Sequence, residues 1–131
     1  MKKETAIPFD FVLEQLYSVN VQIRPMFGCY ALYLHNKIVL ILRKRKTSTK
    51  DNGVWVATSK EHHASLKSAF PSMRSIKILG GKESNWQNLP AEADDFEEMV
   101  TRACEMILRG DNRIGREPRR KASKAGKKKV S

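Results

Sequence analysis

A chain of 131 residues with a formal net charge of +11 is one domain's worth, long enough to bury a core without disulfide staples. Its two cysteines, Cys29 and Cys104, lie far apart and show no metal or redox spacing, so free thiols in a reducing cytoplasm are expected. No run approaches membrane-spanning length, and Glu4, Asp10 and Glu14 interrupt any apolar stretch behind Lys2 and Lys3, so a soluble protein without a standard export signal or a membrane role is expected.

The first predicted element begins at Pro8, with Phe9, Val12, Leu13, Leu16 and Val19 at helical spacing. Proline at a helix start gives up a donor that would be unpaired there anyway, and Asp10 and Glu14 lie toward the positive end of the dipole. Asn20 ends the helix. Residues 21–27 read as an extended lead-in, with Arg24 held extended by Pro25, and Gly28 as a break or bulge.

Two apolar runs follow, residues 29–34 and 38–42, separated by His35-Asn36-Lys37. An Asn in so short a break tolerates the positive φ of a tight turn, so the pair reads as an antiparallel hairpin. The second run is rich in β-branched residues and apolar at both parities. It is therefore expected to be covered on both faces, inside the sheet.

Arg43, Lys44, Arg45 and Lys46 open a polar loop that runs to the turn signal Asn52-Gly53, and residues 54–57 form the next strand. Ser59 is placed to cap a helix from about residue 60 to residue 70, which Pro71 stops. Residues 73–79 alternate weakly as a strand, Gly80-Gly81 turns the chain, and residues 85–89 make a short last strand. Asp94 with Glu97 has the spacing of a capping box. The final helix presents Phe96, Met99, Val100, Ala103, Met106 and Ile107 to the core, and Gly110 closes it. The predicted order, α-β(3)-α-β(2)-α, implies a two-layer α+β fold with an antiparallel sheet and flanking helices.

The charge is unevenly spread. Residues 113–131 hold nine Lys or Arg and one acid, a net +8, which leaves +3 for residues 1–112. The reading is a folded domain over 1–112 and a basic, disordered tail over 113–131 with nothing to bury. Arg119, Arg120, Lys121, Lys124, Lys127, Lys128 and Lys129, together with Arg43, Lys44, Arg45 and Lys46, are the candidate contacts for nucleic acid or another anion. For the quartet at 43–46, a charged strand end that discourages edge pairing is the competing reading.

Other candidate chemistry is weak. His62 and His63 are adjacent on a helix, about 100° apart, and cannot share a metal as an i, i+4 pair does. Gly80-Gly81-Lys82 lacks both the first glycine and the Ser or Thr of a phosphate loop, with Ile76 and Glu83 in those places. Cys29 is the one conceivable nucleophile, but nothing local in sequence lowers its pKa, and it reads as a core thiol. Tyr30, Tyr33, Trp55 and Trp86 could stack bases or a ligand, or simply pack between sheet and helices.

The run Arg24-Pro25-Met26-Phe27-Gly28, followed by Tyr30-Ala31-Leu32-Tyr33 and a turn, resembles the signature of TfoX/Sxy N-terminal domains. Trp86 and Pro90 are similar to that family's aromatic and proline before the last helix. The resemblance spans roughly residues 8–110 and implies a fold shared in outline with YjbR-like proteins and type III secretion chaperones. On it, Arg24, Met26, Phe27, Gly28, Tyr30, Tyr33, Trp86 and Pro90 are structural positions of the family motif. Cys29 stands where the family usually has a second Gly, and Asn85 where a Tyr is common. The role expected is a non-catalytic regulatory or adaptor domain, without cofactor, whose basic tail and basic cluster at residues 43–46 give it affinity for nucleic acid or an acidic protein surface. A homodimer is compatible with it. The alternative is a small-molecule binder or enzyme using a pocket between sheet and helix.

Overall fold

The computed structural model describes residues 7–77 and 85–117. The chain forms α1 (Phe11–Gln15), a 3-10 turn (Tyr17–Val19), β1 (Gln22–Met26), β2 (Cys29–Leu34), β3 (Lys37–Arg43), β4 (Gly53–Ala57), α2 (His63–Ala69), β5 (Arg74–Ser75), β6 (Trp86–Pro90) and α3 (Phe96–Leu108). The six strands make one sheet in the order β1-β2-β3-β4-β6-β5, and every pairing is antiparallel. This is the α+β architecture expected, with helices flanking an antiparallel sheet. No helix among the described residues is long and apolar enough to cross a membrane.

β3 lies within the sheet, paired on both sides, and is buried at every position after Lys37, as its unbroken apolar run requires. The helices cover one face. There Leu32, Leu40, Leu42, Val54, Val56 and Leu89 meet Val12, Leu16, Leu66 and Phe70, and the buried stripe of α3 from Phe96 to Ile107. Each such aliphatic or aromatic side chain contributes roughly 1.5–3 kcal/mol by leaving water, so this layer is the main source of stability. The rings of Phe9 and Phe11 pack edge-to-face with Phe96, their centroids 5.1 and 6.3 Å from its own, tying the N-terminal turn to α3. The last helix closes as a Schellman motif: Asp111 N donates to Met106 O and Gly110 N to Ile107 O.

Several local expectations are corrected. The lead-in over 21–27 is a fourth strand before α2, β1, which occupies the edge of the sheet. Pro25 is tolerated there because an edge strand need not donate on both sides. Gly28 is not a bulge; with Phe27 it forms the two-residue tip of the β1–β2 hairpin, at φ +79° and +51° respectively. In the β2–β3 hairpin the positive φ falls on His35 (+59°), and Asn36 takes the second place of the turn. Neither Ser59 nor an acidic residue caps through its side chain: Ser59 accepts at its backbone oxygen from His62 N, and Asp95, which precedes α3, accepts from Ser72 Oγ instead. Of the strand expected at 73–79, Arg74 and Ser75 pair with β6; residues 78–84, with the Gly80-Gly81 turn, lie outside the described residues.

The folded body also runs past residue 112. Ile114 is buried in the helix-side core, Gly115 N donates to Ala57 O, and Arg116 exchanges both backbone hydrogen bonds with Ile38 at 2.9 Å. Where the chain leaves β4 after Ala57, this segment takes over as the neighbour of β3. Arg113 forks onto Asp111 through Nε and Nη2 at 3.0 and 2.7 Å, which holds the Asp111 carboxyl down at about 2. Ile114, Gly115 and Arg116 dock inside the basic run, so residues 113–117 belong to the folded body.

Candidate functional site

The sheet face away from the helices carries the alternate parity of the same strands. Met26, Cys29, Ala31, Tyr33, Ile38, Ile41, Trp55, Ala57, Ile76 and Trp86 cluster there. At the β1–β2 hairpin end this face opens into a cavity of about 490 Å³, lined by Met26, Phe27, Cys29, Ile41, Arg43, Arg45, Thr47, Trp55 and Trp86. Trp55 and Trp86 form one wall, with ring centroids 6.0 Å apart and planes inclined at 54°. The Trp55 indole N–H is fixed by Asp51 O at 2.8 Å.

The loop that shapes this cavity is organised by Arg43. Its parity places it on the cavity face beside Gly53, and its side chain is 2% exposed. Nη1 donates to Ser48 O (2.9 Å) and Asn52 Oδ1 (2.8 Å), and Nη2 to Thr47 O (3.0 Å). Asn52 bonds the backbone of Arg45 in both directions at 2.9 Å. Gly53 can hold no larger residue, since a Cβ there would stand 2.2 Å from Leu89 O.

The basic quartet is therefore split. Arg43 is buried and committed to the loop, which corrects its assignment as a surface anion contact, whereas Lys44, Arg45 and Lys46 are exposed. The Arg45 side chain lies back over the β1–β2 tip, with Nη1 reaching Phe27 O at a long 3.4 Å. Arg119, Arg120, Lys121, Lys124, Lys127, Lys128 and Lys129 lie outside the described residues. The segment leading to them passes Ile38, at the opposite end of β3 from Arg43, roughly 17 Å away at strand rise. The two halves of the expected basic surface thus start from opposite ends of one strand.

The four aromatics are divided as well. Tyr30 packs on the helix side, while Tyr33, Trp55 and Trp86 share the other face. Arg24 covers the Tyr33 ring at 4.7 Å, so that ring is occupied. Pro90 ends β6, and Phe27 projects 92% exposed at the cavity mouth. Cys29 lies in the cavity lining with Sγ 3.8 Å from Phe27 O. Burial pushes its thiol above the ordinary range, and the charges of Arg43 and Arg45 oppose that shift without reversing it.

His62 pairs with Glu61 at 3.3 Å, away from these groups, and no cluster of three or more His, Cys, Asp or Glu suited to a metal occurs among the described residues. A second cavity of about 490 Å³ lies between sheet and helix, where the β2–β3 hairpin meets the end of α3. Its rim mixes Lys37 and Arg109 with Asp111 and Glu117. Sequence reasoning missed the sheet-face cavity because its lining comes from four separated stretches. The available signal was the alternate parity of β2, β3 and β4, which puts Cys29, Ile41, Arg43 and Trp55 on one face. No protein-family model matches this chain, and no curated protein or solved structure matches it either.

Proposed function

We propose that the protein is a non-catalytic regulatory or adaptor domain of the kind implied by its resemblance to TfoX N-terminal domains, acting in the cytoplasm with affinity for polyanions, nucleic acid foremost. One observation carries this reading. Among the described residues, the titratable groups lining the sheet-face cavity are two arginines and a thiol kept protonated by burial, which supply charge and surface but no acid–base pair. The exposed Lys44, Arg45 and Lys46 beside it, and the basic excess of residues 113–131, favour an anionic partner. Phosphate contacts of this kind position without reading sequence.

The test is filter binding of duplex DNA and RNA to the full chain and to a version ending at residue 117, at low and physiological salt. Neutralising about five phosphates corresponds to a log–log salt slope of about −4 to −5 on duplex DNA. Removing residues 118–131 should abolish most of the affinity. Equal binding by the two proteins defeats the assignment to that segment. A lysate partner retained after nuclease treatment points to an acidic protein instead.

A further inference from the structure

The sheet-face cavity has a chemical bias that the polyanion reading does not use. Its floor is Met26, Cys29 and Ile41, and its wall is the Trp55–Trp86 pair, so most of its surface is apolar and aromatic. Among the described residues no carboxylate lines it. Arg43 is buried with three neutral oxygen acceptors and makes no ion pair among the described residues. A cation held in low dielectric without a counter-ion is costly, and an anion arriving beside it recovers part of that cost. Arg45 adds a second guanidinium at the rim, restrained by one long and readily released hydrogen bond.

Phe27 points the same way. It holds a left-handed backbone conformation, unusual for a bulky residue, and leaves its ring 92% exposed. Neither feature improves the packing of the domain. The backbone conformation belongs to the two-residue turn, and the exposure leaves an aromatic ring in the cavity lining, across β3 from the two tryptophans.

We infer that this cavity binds a small molecule made of a flat aromatic ring system bearing one anionic group. The rings lie against Trp55 and Trp86, the anion meets Arg45 with the charge of Arg43 behind it, and Phe27 covers the outer face. A volume near 490 Å³ falls in the range of about 300–1,000 Å³ typical of small-molecule pockets. The inference goes beyond the proposed function: it shares Arg43 and Arg45 with that reading but needs no residue of 118–131, so loss of nucleic-acid binding on truncation and loss of ring binding are separate outcomes.

The chain's only two tryptophans are Trp55 and Trp86, so the two indole N–H signals of ¹⁵N-labelled full-length protein report on this cavity alone. The probe is naphthalene-2-sulfonate, titrated beside neutral 2-naphthalenemethanol, cationic 2-naphthylmethylammonium and ring-free methanesulfonate. Both indole signals should shift saturably with the sulfonate, which should bind at least tenfold more tightly than the neutral ring, with the cation and methanesulfonate weaker still. Arg45→Glu should lose tenfold or more, whereas Lys44→Glu, which alters the same surface charge outside the cavity, should change affinity by less than threefold. Phe27→Ala should weaken binding a few-fold; the amide spectrum of each variant verifies its fold. Equal binding of neutral and anionic rings overturns the inference. So does an equal loss in the Lys44 and Arg45 variants, or the absence of indole shifts at millimolar sulfonate.

Discussion

Replacing Arg43 separates a structural role from an anion-binding one. In Arg43→Ala three charge-assisted hydrogen bonds disappear, to Thr47 O, Ser48 O and Asn52 Oδ1. Thr47 and Ser48 are exposed, so water re-satisfies their carbonyls, and the lasting loss is about one bond to a charged group, roughly 1.5–3 kcal/mol. The aliphatic stem, buried to 2% exposure, adds roughly 1 kcal/mol of lost packing. The expected cost is about 2–4 kcal/mol, a fall of roughly 6–20 °C in melting temperature for a domain of this size. Arg43→Met keeps the stem and removes a buried charge with its desolvation penalty, so it should cost less than the alanine variant. Arg43→Lys, which lacks the planar fork, should fall between alanine and wild type. Circular-dichroism melts and urea titrations measure all three. A melting temperature for Arg43→Ala within about 2 °C of wild type, or an Arg43→Met variant more stable than wild type, refutes the claim that this side chain holds the loop.

Further expectations follow from the rest of the chain. Truncation after residue 112 should cost about 3–5 kcal/mol, through exposure of Ile114 and loss of the Ile38–Arg116 and Gly115–Ala57 bonds, whereas truncation after residue 117 should leave the melt unchanged; equal stability of the two rejects the docking of residues 113–117. Burial first, and the charge of Glu105 second, push the Cys104 thiol up to about 12 from 9.0. The folded value is raised, so its contribution is complete below pH 9 and is lost as pH climbs toward 12; relative to Cys104→Ala, wild type should lose about 1.4 kcal/mol per pH unit there, and parallel pH curves contradict this. Gly28→Val should cost about 1–3 kcal/mol, mainly from its φ of +79°, because the Arg45 guanidinium that a Cβ would strike is the free end of a flexible chain; an unchanged melt removes this reading. Both thiols should react slowly with Ellman's reagent in native protein at pH 7.5 and fast in urea, and rapid labelling of Cys29 alone would mark it as an available nucleophile.

The sequence was legible where burial is two-sided or strictly periodic. β3 announced itself through apolar residues at both parities, and α3 through a stripe that is buried at every expected position. What sequence did not disclose was which sheet face the helices cover, because β2 and β4 are apolar on both. It also misplaced Arg43: in a row of four basic residues nothing distinguishes the last residue of a strand from the first three of a loop. Register decides it, since Arg43 still pairs with Gly53 while Lys44 has left the sheet. The cavity was illegible for a related reason, being closed by contacts between residues 26–29, 41–47, 55 and 86 that only the pairing order brings together.

The pairing of Ile38 with Arg116 has a kinetic consequence. Strands β1 to β3 form a meander joined by two-residue turns, the kind of local structure that closes in microseconds. Yet the first residues of its inner strand acquire their second neighbour only from almost the other end of the domain. Closing so long a loop is entropically expensive and comes late. During synthesis from the N-terminus, the growing chain therefore carries a half-dressed β3, with Ile38 and Val39 beside an open edge, until residue 116 has emerged. For that interval the nascent protein is a candidate for edge-to-edge pairing with its neighbours, a hazard that ends when the final segment docks.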